Sequence, residues 1–199
     1  KDHQAYFTHG TDQARFPLDR IHLPGNHNRH NIMATIAVGK LCGCPDEAIQ
    51  HTIENFKGLP HRLEWVGEVR RIGFYNDSKA TNVSSVVRAL EALNPPVILI
   101  AGGKDKGGDY HPLIPLIEQK VKTLILIGEA QEKMVQAFRN TTSIVCAESL
   151  EEAFAKSLEH ATEGDTVLLS PACSSFDMFA SYKERGEKFK ALVRNLSSD

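Results

Sequence analysis

One acid, one lysine, two hydroxyls and two amides fall within seven positions, Asn76-Asp77-Ser78-Lys79-Ala80-Thr81-Asn82. Apolar Ile72 and Phe74 precede them. Val83, Val86, Val87, Leu90 and Leu93 follow, at a spacing that predicts an amphipathic helix. The polar run is therefore the turn from a strand into a helix. In an open α/β sheet that turn lies at the carboxyl end of the strand, where such folds bind ligands. A turn needed only to reverse the chain would use one or two of these residue types, with glycine or proline.

Two further runs of this kind follow apolar segments. Gly102-Gly103-Lys104-Asp105-Lys106-Gly107-Gly108-Asp109 comes after Val97–Ala101. Its glycines allow close backbone approach to a ligand and its lysines supply cation for an anion. Ser170-Pro171-Ala172-Cys173-Ser174-Ser175-Phe176-Asp177 comes after Val167–Leu169 and offers hydroxyls and backbone N–H groups at an expected helix start, a cradle for carboxylate or phosphate. Together the runs suit a small polyanion such as a dicarboxylate. Each piece also has a plainer reading. The glycine run serves as a simple turn, and it is not a Walker A loop, because no Gly-Lys-Ser/Thr opens a helix after it. Asp77 or Ser175 serves as a helix cap, and Lys106 as a solvated charge.

Nearer the N-terminus, Asn28 and Asn31 are three apart and share a helical face. Amides of this kind read a purine edge by donating and accepting at once; the alternative is a cap plus a solvated amide. His61-Arg62 with Glu64 suits a guanidinium that clamps phosphate or ribose, or an ordinary salt bridge. His22, His27, His30 and His61 invite a metal reading, but no acid or cysteine completes a ligand set. Cys42-Gly43-Cys44 has a single intervening residue and no second pair, so free thiols in a reducing cytosol fit it better than zinc.

The elements that must hold these residues follow from periodicity. A chain of 199 residues with 41% hydrophobic and 24% charged residues is ordinary globular material for one or two domains. The net charge of −2, with scattered Lys and Arg, argues against a general nucleic-acid or membrane-surface binder. No apolar run approaches the roughly 20 residues of a membrane helix. The N-terminus lacks a secretion signal, and its lack of an initiator Met reads as a fragment or a processed chain. Residues 1–24 read as irregular or short-stranded. A helix is expected from Asn31, with Ile32, Met33, Ile36, Ala37 and Leu41 as its stripe, and a second from Pro45, burying Ile49, Ile53 and Phe56. Lys57-Gly58-Leu59-Pro60 reads as a break. Two strands around a turn then span 63–75. Continuous apolar runs at 97–101, 124–127 and 167–169, and a weaker strand at 143–146, alternate with helices near 82–93, 111–120, 129–139, 149–160 and 178–196. Such alternation predicts an α/β fold: a Rossmann-like, mostly parallel sheet with helices on both faces. Trp65 is expected in the core, and Ser197 to Asp199 to fray.

Taken in order, Gly25-Asn26-His27-Asn28-Arg29-His30-Asn31, His61-Arg62-Leu63-Glu64, Asn76 to Asn82, Gly102 to Asp109, and Leu169-Ser170-Pro171-Ala172 with Ser175-Phe176-Asp177 and Arg185-Gly186-Glu187-Lys188-Phe189 closely resemble the Mur ligases of cell-wall synthesis. The Asn-Asp-Ser-Lys-Ala-Thr-Asn string is similar to that of the family's D-glutamate-adding branch. The resemblance runs from about Leu23 to the end. It implies that 1–57 is the C-terminal remnant of a central ATP-binding domain, 58–62 a hinge, and 63–199 the C-terminal Rossmann-like domain. The family's Walker A loop and uridine-binding domain are not matched, so the fragment alone is expected to be inactive.

The resemblance further implies an ATP-dependent amide ligase that adds D-glutamate to UDP-N-acetylmuramoyl-L-alanine in the cytoplasm, as a monomer, without nucleic-acid or membrane partners. It implies ATP and Mg2+, the latter held mainly outside this chain. Asn28 and Asn31 are expected at the adenine, and Arg62 and Asp77 on the ribose and phosphate side. Lys79 is expected near the transferred phosphate or incoming amino acid. Thr81, Lys106, Ser175 and Tyr182, with the backbone around Phe176, are expected on the carboxylates of D-glutamate. The family usually carries Phe where Tyr182 stands. A binding module without ligase activity is the alternative, and a folylpolyglutamate-type ligase is disfavoured by Lys79-Ala80-Thr81-Asn82.

Overall fold

A computed structural model describes residues 3–21 and 23–196. His22 and Ser197–Asp199, both subjects of expectations above, lie outside the described residues. The chain divides into two compact units, Lys1–Gly58 and Leu59–Asp199.

In the first unit, β1 (Gln4–His9) and β2 (Asp12–Pro17) form an antiparallel hairpin. Helix α1 covers Asn26–Leu41 and α2 covers Asp46–Asn55. Ile32 and Ile36 of α1 meet Ile49 and Ile53 of α2 together with Ala5 and Phe16. Helix α1 starts five residues earlier than its apolar period suggests, because Asn26–His30 are polar yet helical. Three expected core positions are also corrected: Met33, Leu41 and Phe56 are exposed, and the isoleucines at i, i+4 spacing carry the packing.

The second unit is built on one sheet. Its strands are β3 (Glu64–Val69), β4 (Ile72–Asn76), β5 (Val97–Gly102), β6 (Val121–Ile127), β7 (Ser143–Cys146) and β8 (Thr166–Ala172). They lie in the order β3-β4-β8-β5-β6-β7. Only β3 runs antiparallel to its neighbour. Helices α3 (Val83–Ala92), α4 (Ile114–Lys120) and α5 (Gln131–Phe138) pack on one face, and α6 (Leu150–His160) and α7 (Tyr182–Leu196) on the other. Strand residues alternate accordingly. Leu99, Leu124 and Leu168 face Val86, Leu90, Ile117 and Met134, whereas Ile98, Ile100, Ile125 and Val167 face Phe154, Phe189 and Val193. A central strand covered on both faces has no polar side to show, which is why these segments read as unbroken apolar runs.

Trp65 is not core. It is 51% exposed on edge strand β3, edge-on to Tyr75 with ring centroids 5.0 Å apart. The last helix starts at Tyr182 rather than near 178. Its cap is Ser181, whose Oγ accepts from Glu184 N at 3.2 Å while Glu184 Oε2 accepts from Ala180 N at 2.7 Å.

Candidate functional site

Strand β8 lies between β4 and β5, so the loops leaving these three strands emerge side by side at their carboxyl ends. The chain leaves β4 and β5 toward one face of the sheet and β8 toward the other, which opens a crevice between the loops.

Asp77 opens the first loop and points inward. It is 7% exposed; its Oδ2 accepts from Ser170 Oγ at 2.7 Å and its Oδ1 from Leu63 N at 3.0 Å. Burial pushes its carboxyl up to about 6, against the pull of those two bonds and of Arg62. It is not a helix cap. Asn82 takes that role, with Oδ1 accepting from Ser85 N at 2.9 Å. Ser78 is fully buried and its hydroxyl donates to Tyr182 O at 2.8 Å. Lys79 is half-buried, with its ammonium 5.4 Å from the centre of the Tyr182 ring.

The second loop crosses the others closely. Gly103 has φ +129°, its N donates to Ile127 O at 2.9 Å, and a Cβ there would collide with the Ser174 carbonyl. Lys104 N donates to Ser174 O at 2.9 Å, which ties this loop to the third. Thr81 and Lys106 line one cavity of about 280 Å³ with Asn82, Asp105, Tyr110 and Cys173. Lys106 is exposed, and among the described residues its ammonium has no hydrogen-bond or ion-pair partner. Cation, hydroxyl and amide thus meet in one hollow.

Other expected residues lie elsewhere. Ser175 is 2% exposed and caps no helix: its carbonyl accepts from Met178 N at 3.1 Å and Phe179 N at 2.8 Å. Phe176 is 67% exposed and Tyr182 half-buried, and neither they nor Ser175 are lining residues of the Thr81–Lys106 cavity. Arg62 is exposed. Asn28 and Asn31 belong to the other unit. Asn28 Nδ2 donates to Pro24 O at 2.8 Å and Asn31 Nδ2 to Asn28 Oδ1 at 3.4 Å, so the two amides share one side of α1.

Residues without an expected role organise the crevice. Arg185 is completely buried. Its Nε donates to Ser78 Oγ at 3.0 Å, and its terminal nitrogens donate to the carbonyls of Ser78 at 2.9 Å, Cys173 at 3.2 Å and Ser174 at 3.4 Å. Burial lowers its guanidinium to about 10. Asn76, also fully buried, donates through Nδ2 to His61 Nδ1 at 2.9 Å and to Glu64 Oε2 at 3.0 Å. Lys190 Nζ closes that cluster on Glu64 at 3.0 Å and Glu187 at 2.9 Å. Burial holds the His61 ring below its usual range, despite the raising influence of Glu64. Both residues stand in runs quoted above, but local spacing does not assign them these tasks; Arg185 is further marked as a charged residue on the apolar face of α7.

Residues 61–173 match the family described as Mur ligase, glutamate ligase domain. The chain belongs to the Mur ligase family. The UDP-N-acetylmuramoylalanine–D-glutamate ligase of Citrifermentans bemidjiense is 49% identical over 188 residues, covering 94% of this chain and 42% of the relative. The chain therefore spans about two fifths of the length of the curated relatives it matches. Among solved structures of lower identity, a pseudomurein peptide ligase type C from Methanothermus fervidus superposes with a TM-score of 0.70 at 16% identity, over 98% of this chain and 40% of that one. A Mycobacterium tuberculosis folylpolyglutamate synthase, complexed with ADP and AMPPCP, gives 0.66 at 13% identity, over 99% and 48%. These two likenesses establish the shared fold.

Proposed function

We propose that the chain is part of an ATP-dependent amide ligase that adds D-glutamate to UDP-N-acetylmuramoyl-L-alanine in peptidoglycan synthesis. The observation that carries this reading is 49% identity, over nearly the whole chain, to a ligase named for those two substrates. The cavity shared by Thr81 and Lys106 supports it, because a cation and a hydroxyl suit an amino acid with two carboxylates.

In this reading the alanyl carboxylate attacks the γ-phosphorus of ATP, releasing ADP and leaving an acyl phosphate. The amine of D-glutamate then attacks the acyl carbon. The tetrahedral intermediate expels phosphate and the nitrogen loses a proton, which completes the amide. Chemistry of this type depends on positioning and charge neutralisation more than on a nucleophilic side chain. Thr81, Lys106, Ser175 and Tyr182 hold the glutamate carboxylates, with the backbone around Phe176. Lys79 neutralises charge near the transferred phosphate. Asn28 and Asn31 contact adenine, and Arg62 and Asp77 the ribose and phosphate side. Residues 1–57 are the end of the nucleotide-binding domain, 58–62 a hinge, and 63–199 the domain that delivers the amino acid.

Among the described residues no group of three or more His, Cys, Asp or Glu is disposed to hold a metal ion. In this reading Mg2+ is held mainly by residues outside this chain, and no step is assigned to it. No helix of the described residues is long and apolar enough to cross a membrane. A cytoplasmic monomer is the proposed state. The deciding experiment is phosphate release by the full-length protein. Release that requires ATP, D-glutamate and UDP-N-acetylmuramoyl-L-alanine together supports the reading. Release with a folate in place of the muramoyl substrate, or none at all, sinks it.

A further inference from the structure

Lys106 sits in a loop whose neighbouring glycines give it little support. A Cβ added at Gly107 or Gly108 would meet nothing within 4 Å, so neither position is packed. What fixes the loop is Asp105. Its Oδ1 accepts from Gly107 N at 3.1 Å and from the Tyr110 hydroxyl at 2.8 Å, and its Oδ2 accepts from Lys133 Nζ on α5 at 3.0 Å. Tyr110 is 3% exposed, and its hydroxyl also lies 3.1 Å from Cys173 Sγ in the loop after β8. The Lys133 ammonium stands 5.3 Å from the centre of the Tyr110 ring. One carboxylate therefore ties the Lys106 loop to its own backbone, to α5 and, through Tyr110, to the neighbouring loop.

Charge adds a second consideration. Asp105 lines the same cavity as Thr81 and Lys106. A bare carboxylate there would repel an anionic ligand. Lys133 counters that charge, and its hydrogen bond holds the Asp105 carboxyl below the usual carboxylate range.

We propose that Asp105, Tyr110 and Lys133 act as a positioning unit that presets Lys106 for a dicarboxylate amino acid and shields that ligand from the cavity's own acid. The inference rests on the substrate reading above and names residues that the reading leaves without a task.

The test is steady-state kinetics of the full-length protein with D-glutamate as the varied substrate. One neutral hydrogen bond corresponds to about 2- to 10-fold in an equilibrium constant. Tyr110→Phe, which keeps the ring, should raise KM for D-glutamate about 3-fold or more, and Asp105→Ala about 10-fold. In both, kcat should stay within about twofold and KM for ATP should not move, since the cost falls on ordering the loop as the amino acid binds. On a Lys106→Ala background, Asp105→Ala should add little, because it acts through Lys106. If Lys106→Ala raises KM while Tyr110→Phe and Asp105→Ala do not, or if the double variant is fully additive, the positioning unit is overturned and the substrate reading stands. If Lys106→Ala itself leaves KM unchanged, the substrate reading falls instead.

Discussion

Arg185 and Ser78 are 107 positions apart in the chain, yet the guanidinium bonds both the hydroxyl of Ser78, at 3.0 Å, and its carbonyl, at 2.9 Å. The same side chain reaches the carbonyls of Cys173 and Ser174, so a single cation fastens the loop after β4 to the loop after β8. Arg185→Met takes this donor from the buried carbonyls of Ser78 and Cys173, whereas Ser174 O keeps its bond from Lys104 N. Each such loss costs about 1–3 kcal/mol, so the two together cost roughly 2–6 kcal/mol and a fall in Tm of about 5 °C or more is expected. A fall of less than about 3 °C in calorimetry would show that the fastening is dispensable.

Lys106→Ala removes a charged donor from the candidate carboxylate site. A charged hydrogen bond contributes about 1.5–3 kcal/mol, so KM for D-glutamate in the full-length protein should rise roughly 10- to 100-fold. Because Lys106 is exposed and lacks a protein partner, Tm should stay within about 1 °C. A large loss of Tm would assign Lys106 to the fold instead.

Asp77 gives a pH signature. Burial raises its carboxyl from the ordinary range to about 6. Between about pH 4 and 6 the folded chain keeps a proton that the unfolded chain has released. The stability linked to Asp77 is therefore complete below pH 4, is lost as the pH climbs through 6, and then levels, a change of roughly 3 kcal/mol. Urea unfolding of the wild type and Asp77→Asn across pH 4–7 should show the wild type losing stability relative to the variant as pH rises. A constant difference would place the titration of Asp77 in its ordinary range.

Tyr182 separates backbone from side-chain roles. Its carbonyl accepts from Ser78 Oγ at 2.8 Å, while its ring lies edge-on to His61 with centroids 5.9 Å apart and beneath the Lys79 ammonium. Tyr182→Phe preserves all three contacts. KM for D-glutamate and for ATP should both stay within about twofold, which is within the cost of one neutral hydrogen bond. A tenfold rise in either would assign a substrate contact to the phenol hydroxyl.

Gly186 is a steric prediction. A Cβ there would overlap the His61 ring and stand 3.1 Å from Asn76 Nδ2. Gly186→Ala should cost about 1–3 kcal/mol through overpacking, despite the better helix propensity of Ala. An alanine variant of unchanged or higher Tm would mean that His61 moves aside freely.

How much of this was legible in the sequence depends on the range of the interaction. Val97–Ala101 and Leu124–Ile127 announced central strands because both faces are covered. The turn residues Thr81 and Lys106 line one hollow because they follow β4 and β5, the two parallel strands that flank β8. Trp65 misled: aromatic bulk suggests burial, but its strand is the sheet edge and its ring lies half-exposed beside Tyr75. The helix start expected near 178, with Ser175 as its cap, falls later because the chain makes an extra turn, with Ser175 O accepting from Met178 N and Phe179 N, before Ser181 caps α7. The fastening by Arg185 and the Asp105–Tyr110–Lys133 cluster left no trace in spacing, since their partners are set by topology rather than by period.

The position of β8 has a consequence for biosynthesis. The strand that fills the middle of the sheet is the last of these six strands to be made, and the arginine that joins the loops follows it. A nascent chain still on the ribosome with β4 and β5 complete holds two half-sheets with a slot between them. Neither the apolar layers nor the crevice closes until α7 has been released, so translational stalling or truncation ahead of Thr166 leaves a polypeptide without the central strand, prone to capture by chaperones and to degradation.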